Sequence, residues 1–174
     1  MRHFALFLIT LLCGCSVPLP SATSRIDPAP NRNPASLNPV KIVELEKLVV
    51  DQKGKVVVLD IWFLGCAPCV KKFPSFVELH NTYVAEGLVC MSVDIQMDEN
   101  RDEVRTFLKR KGAEFTNLII EDTEAARDAW QERNDANATP SYVVYNRKGD
   151  RVSVSQSIKP EEMTALVKKL LDEK

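Results

Sequence analysis

The run Val56-Val57-Val58-Leu59-Asp60-Ile61-Trp62-Phe63-Leu64-Gly65-Cys66-Ala67-Pro68-Cys69 decides how the rest of this 174-residue chain is read. Val56 to Phe63 is apolar and rich in β-branched residues apart from one aspartate, the composition of a strand buried on both faces. Cys66 and Cys69 then stand three positions apart, where an apolar helical pattern begins. Two thiols so spaced can close and open a small disulfide ring. The first would sit at a helix N-terminus, where unpaired N–H groups and the helix dipole favour a thiolate, the form that attacks disulfides. The stretch reads as a dithiol/disulfide exchange centre at a strand-to-helix turn.

Outward from that turn, helical and strand patterns alternate. Upstream, Ile42, Leu45, Leu48 and Val49 follow helical spacing and Lys53-Gly54 ends the segment. Downstream, the helix begun near Ala67 carries Phe73, Phe76, Val77, Leu79, His80 and Val84 and stops at Gly87. Leu88 to Ile95 is a second buried strand. Arg101 to Lys111 is a helix with Val104, Phe107 and Leu108 inward. Asn117 to Ile120 is a short strand, and Thr123 caps a helix carrying Ala126, Ala129 and Trp130. The last third changes period: Ser141 to Tyr145, the turn Asn146 to Asp150, and Arg151 to Val154 predict a β-hairpin. A final helix starts near Pro160, with Met163, Leu166, Val167 and Leu170 on one face. βαβ units followed by a hairpin and a helix predict an α/β domain with a mixed sheet covered on both faces.

Composition bounds the function. With 45% hydrophobic residues, 27% charged and a net charge of −1, the chain suits one globular domain and gives no basic surface for nucleic acid. The N-terminus reads differently. Met1-Arg2-His3 is a short basic start, and Phe4 to Leu12 is an apolar segment too short to span a bilayer, as in a signal peptide. It ends in Leu12-Cys13-Gly14-Cys15, which resembles a bacterial lipoprotein box and implies cleavage before Cys15 and its acylation. Ordinary secretion is the alternative. Between Ser16 and Pro39 lie six of the ten prolines, and no apolar period survives, so the segment reads as a semi-rigid tether. The expected organisation is a lipoprotein signal peptide over 1–14, lipidated Cys15 and a Pro-rich tether over 15–39, and the domain over 40–174. The domain then keeps Cys66, Cys69 and Cys90, too few for a disulfide framework.

The segment Asp60 to Cys69, followed by Pro74, resembles the active-site segment of thioredoxin-fold proteins. The whole domain is similar to membrane-tethered thiol-disulfide oxidoreductases of the TlpA/ResA type. The likeness extends to the Ser92-Val93-Asp94 strand end, the helix-and-strand segment from Arg101 to Ile120, and Ala138-Thr139-Pro140. It implies a thioredoxin-like three-layer α/β/α sandwich and a protein-disulfide reductase needing no cofactor or metal. Its partners would be disulfide-bearing exported proteins, a membrane electron donor and, through the lipid, a bacterial envelope membrane. A periplasm-facing monomer is expected.

Each matched position has a physical task. Cys66 is the attacking thiol, and Cys69, one turn inside, resolves the mixed disulfide. Pro68 supplies no N–H and pre-sets helical φ in the first turn. Asp60 aligns with the buried carboxylate of thioredoxins. A charge within an apolar strand is costly without a task, and here it would take the proton of Cys69; a strand-end carboxylate turned to solvent is the plainer reading. Pro140 resembles the cis-proline facing the thiols, with Thr139 pairing to an extended substrate. Trp62 and Phe63 are read as an apolar rim or floor near the sulfurs, with Trp62 touching the substrate, and Pro74 as structural.

Two departures qualify the likeness. Gly65 stands where most relatives have tryptophan. Cys90 falls where thioredoxins carry a lysine beside the buried aspartate, which would leave Asp60 without that partner. Lys71 and Lys72 read as a solvated helix face. Two other functions fit the sequence less well. A copper-delivery module of the Sco type needs CxxxC and a distant histidine, and a thiol peroxidase needs a threonine where Phe63 stands.

Overall fold

The computed structural model describes residues 36–96 and 101–173. The expected signal peptide, the Cys15 lipidation site and most of the tether lie outside them. Six strands and five α-helices follow in the order β1 (Leu37–Val40), α1 (Ile42–Val50), β2 (Val56–Trp62), α2 (Ala67–Tyr83), β3 (Leu88–Asp94), α3 (Arg101–Lys111), β4 (Thr116–Ile120), α4 (Glu124–Arg133), β5 (Ser141–Tyr145), β6 (Arg151–Ser155) and α5 (Pro160–Asp172).

The strands form one mixed sheet in the order β1-β4-β3-β2-β5-β6. β2 lies near its middle, parallel to β3 and antiparallel to β5. Every residue of β2 is buried, which explains its nearly continuous apolar sequence. Alternation along it feeds two cores. Val56, Val58 and Trp62 pack beneath α2, α3 and α5 with Phe73, Phe107 and Val167. Val57, Leu59 and Ile61 pack on the other face with Leu45 and Val49 of α1 and Trp130 of α4. The result is the expected three-layer sandwich.

One boundary moves. The tether was expected to run to Pro39, yet Leu37–Val40 is strand β1, parallel to β4 with Leu37 opposite Asn117 and Val40 opposite Ile120. Pro39 masked it. Proline has no N–H for a ladder, but an edge strand needs hydrogen bonds on one side only. At the opposite edge, β5 and β6 form the predicted hairpin. Gly149 closes its turn at φ 87°, a conformation that costs other residues. The Arg147 guanidinium in that turn donates to the carbonyls of Gly54, Glu86 and Leu171, tying the hairpin to the lower end of the sheet.

The aromatic packing beneath α2 makes a test of this core. Trp62, wholly buried, meets Phe73 at 4.9 Å and Phe107 at 5.2 Å between ring centroids. Trp62→Ala should lower stability by about 3–5 kcal/mol, read as the shift of the urea midpoint. A change within about 0.5 kcal/mol, the range of an ordinary surface substitution, would contradict this packing.

Candidate active site

Cys66 is the N-cap of α2, in extended conformation, with Ala67 and Pro68 opening the helix. The structure joins Cys66 to Cys69 by a disulfide with S–S 2.02 Å and Cα–Cα 5.2 Å. The backbone N–H of Cys69 donates to Cys66 Sγ at 3.2 Å. This is the capping interaction that serine or aspartate usually provides, made here by sulfur. In the reduced protein the same N–H and the helix dipole favour negative charge on Cys66. Cys66 is 6% exposed and Cys69 1%, so the outer sulfur is the one a partner can reach. Local sequence sets this order, because the first cysteine precedes the helix and the second lies in its first turn.

Asp60 lies below the helix. It shares the α2 face of β2 with Val58 and Trp62 and is 1% exposed. The reading of Asp60 as a solvent-facing strand end therefore does not hold. Its register partners are Ser92 on β3 and Tyr142 on β5. Asp60 Oδ1 has no hydrogen-bond partner among the described residues. Burial pushes the carboxyl up to about 8, against a smaller downward pull from the Lys72 ammonium. A carboxyl of this kind exchanges a proton near neutrality, which an ordinary aspartate does not.

Cys90 is buried and free, on β3 opposite Val58. Burial raises its thiol, and the Asp60 charge adds to the rise. It stands beside the aspartate, as the strand alignment implied, and brings no positive charge. Tyr142 is raised by the same two causes. The positive influence on Asp60 comes from α2 instead. Lys72 is half-buried and donates to the Ile158 carbonyl at 3.4 Å, so its solvated reading was wrong. The sequence concealed this because a lysine on a helix gives no sign of where its long stem will lie.

The loop that precedes β5 comes from the other side. Thr139–Pro140 is a cis peptide bond. Because Ser141 pairs with Ile61, Thr139 and Pro140 lie at the end of β2 that leads into the cysteines. Gln131 Nε2 donates to the Ala136 carbonyl at 3.0 Å, and the Ser141 hydroxyl donates to the Ala138 carbonyl. These contacts fix the loop from within. Thr139 and Phe63 line a surface groove of about 360 Å³ with Ile95, Gln96 and Arg127. Phe63 also lies close over Gly65. A Cβ on Gly65 would come within 3.2 Å of the Phe63 ring.

Trp62 is corrected. It was expected to touch substrate, but it is 0% exposed and faces the interior between Phe73 and Phe107. Strand alternation sends Trp62 inward, and only Phe63, just past the strand end, reaches the rim. Pro74 lies inside α2 on its exposed side, where its missing N–H deprives the Val70 carbonyl of its usual helical donor. One further acidic group was not singled out for titration. Asp94, at the end of β3 opposite Trp62, is pushed up to about 6 by burial, partly offset by the Gln96 N–H it accepts at 2.8 Å.

Comparison with known proteins agrees with this geometry. Residues 29–170 match the Redoxin family. A relative, the thiol-disulfide oxidoreductase ResA of Bacillus subtilis, is 27% identical over 113 residues, covering 65% of this chain and 59% of the relative. The chain thus spans under two thirds of that relative's length. Among solved structures, the thioredoxin domain of a thiol-disulfide oxidoreductase from Bacteroides vulgatus superposes with a TM-score of 0.60 at 19% identity, over 71% of this chain and 84% of that one. A secreted disulfide oxidoreductase of Mycobacterium tuberculosis gives 0.56 at 19% identity, over 70% and 86%. The fold is thioredoxin-like.

Proposed function

The chain belongs to the Redoxin family, and on that premise we propose that it is an exported, membrane-tethered thiol-disulfide oxidoreductase that reduces disulfides in exported proteins through Cys66 and Cys69. The observation that carries this reading is the Cys66–Cys69 disulfide at the start of α2, with Cys66 Sγ accepting the Cys69 N–H. In the dithiol form, the Cys66 thiolate attacks one sulfur of a substrate disulfide. A mixed disulfide forms and the first substrate thiolate leaves. Cys69 then gives its proton toward the Asp60 carboxylate and attacks Cys66 Sγ, releasing the second substrate thiolate. The substrate gains two electrons, and the protein is left with the disulfide the structure contains. A membrane electron donor returns the pair to the dithiol.

Thr139 and Pro140 would align an extended substrate segment beside Cys66, with the groove under Phe63 receiving a neighbouring side chain. Export and tethering rest on the N-terminal sequence, the basic start, the short apolar segment and Leu12-Cys13-Gly14-Cys15. Among the described residues no helix is long and apolar enough to cross a membrane; attachment through a lipid on Cys15 rests on the Leu12-Cys13-Gly14-Cys15 box alone. Among the structural neighbours, the disulfide oxidoreductase of Mycobacterium tuberculosis is a secreted protein.

Two measurements test the proposal. The reduction potential of the Cys66/Cys69 couple should fall near −270 mV, as for thioredoxin, and a value near −120 mV would make the protein an oxidant instead. Cys15→Ser should move the protein from the membrane fraction to the soluble fraction and remove the lipid mass. A variant that stays membrane-bound would overturn the tether.

A further inference from the structure

Arg127 stands on α4, with Gln131 one turn further along the same face. Its guanidinium is held in place. Nη1 donates to the Ile95 carbonyl, just past β3, at 3.0 Å, and the side chain is only 16% exposed. With Phe63, Gln96, Asn137 and Thr139 it lines the groove of about 360 Å³. That groove begins beside the reacting sulfur. The Cys66 N–H donates to the Phe63 carbonyl at 3.1 Å, and Gly65 precedes Cys66. A Cβ on Gly65 would stand 3.2 Å from the Phe63 ring and 4.0 Å from Gln96 Oε1. Thr139, which lines the groove as well, precedes cis Pro140.

The lining carries one sign of charge. Among the described lining residues Arg127 alone is charged, and the others are apolar or bear neutral amides and a hydroxyl. Two acids reach the guanidinium from α4 itself, Glu124 at 3.5 Å and Asp128 at 3.4 Å. Their side chains are 78% and 61% exposed, and neither lines the groove. Exposed pairs at such lengths contribute little. Nη1 also has a second N–H, for which the described residues supply no acceptor.

We infer that Arg127 is a specificity residue of the exchange site, selecting substrates that carry an aspartate or glutamate within two residues of the cysteine under attack. The inference rests on the reading of the chain as a disulfide reductase, and it names the kind of segment that the reductase takes. An extended segment advances about 3.3 Å per residue with side chains on alternate sides. A neighbour of the substrate cysteine is therefore the residue that falls into a groove starting at Phe63 and Gly65. A carboxylate there accepts charge-assisted hydrogen bonds from a guanidinium whose planar fork suits it. A basic side chain would meet Arg127 with no lining carboxylate to offset it. An apolar one would cover the guanidinium and give it no partner. Because the Ile95 carbonyl already fixes the arginine, little side-chain freedom is lost when the acid binds.

The test uses pre-reduced full-length protein in single turnovers with short peptides. Each peptide has one cysteine as its 2-pyridyl disulfide, and release of pyridine-2-thione reports attack on the peptide sulfur. Glu is placed at one of the two positions on either side of the cysteine and compared with Gln in the same place. At one position the Glu peptide should react about tenfold faster than its Gln twin at low salt. That ratio should shrink as salt is raised. It should fall to about one in Arg127→Met, survive in part in Arg127→Lys, and rise in Glu124→Gln/Asp128→Asn, where the competing acids are gone. The ratio is taken within each variant, so a general loss of rate cancels. Equal rates for Glu and Gln at all four positions overturn the inference and leave the reductase reading standing. A preference that persists undiminished in Arg127→Met overturns it as well. If Arg127→Met does not fold, a ratio that fails to rise in Glu124→Gln/Asp128→Asn has the same force. No thione from any peptide overturns the reductase reading, and the inference with it.

Discussion

Cys69→Ser should trap the protein in mixed disulfides with its substrates, whereas Cys66→Ser should lose disulfide exchange altogether. The asymmetry follows from the helix start. Cys66 caps α2, accepts the Cys69 N–H and is the more exposed sulfur, so it carries the thiolate that meets a partner. Cys69 is sealed in the first turn and can reach only Cys66. Without Cys69, the first attack proceeds and the second cannot, so a covalent adduct accumulates. Without Cys66, no accessible nucleophile remains at the site, because Cys90 is buried and its thiol is raised by that burial. In an insulin-reduction assay Cys66→Ser should fall to the uncatalysed rate. Non-reducing gels should show high-mass adducts for Cys69→Ser that collapse on adding dithiothreitol. Adducts of equal yield from Cys66→Ser would reverse the assignment of the two sulfurs.

Most of the frame was legible because strand and helix periods in this chain are strong. Val56 to Phe63 could only be an interior strand, and the helix caps at Cys66 and Thr123 fall where their side chains accept from Cys69 and Ala126. The hairpin after Pro140 followed from its turn residues. What escaped the sequence was what long-range packing decides. Pro39 argued against a strand, yet β4 accepts Leu37–Val40 along its free side. Trp62 looked like a contact residue because aromatics near a site often are, and the alternation of β2 sends it inward. Lys72 looked like an ordinary surface lysine, since only the placement of Ile158, 86 residues further along the chain, shows what its ammonium meets. That Cys90, and not a lysine, stands near Asp60 on β3 was legible from the strand alignment.

Asp60→Asn should make the protein more stable and a poorer catalyst, and the gain in stability should depend on pH. The sign follows from the two states of the carboxyl. In the unfolded chain it titrates near 3.8, and in the folded protein burial holds it up to about 8. Below the lower value the group is neutral in both states and adds no penalty. Between the two values the unfolded chain releases its proton while the folded protein keeps it, so wild-type stability falls as pH rises. Above about 8 both states are ionised and the loss levels off. A shift of this size corresponds to an upper bound on the order of 5 kcal/mol, at about 1.4 kcal/mol per unit. An asparagine is neutral throughout and escapes the loss. Urea midpoints of the oxidised proteins at pH 5 and pH 8 should fall for the wild type and change far less for Asp60→Asn. Asp94, also raised but only to about 6, contributes a smaller fall of the same sign to both proteins. Parallel pH dependence in the two proteins would show that Asp60 carries no such burden. The catalytic side moves the other way. Removing a positioned base costs on the order of a hundredfold or more, so resolution by Cys69 should slow and the rise in exchange rate around pH 8 should disappear. The two outcomes together would mark Asp60 as a side chain kept for the reaction and not for the core.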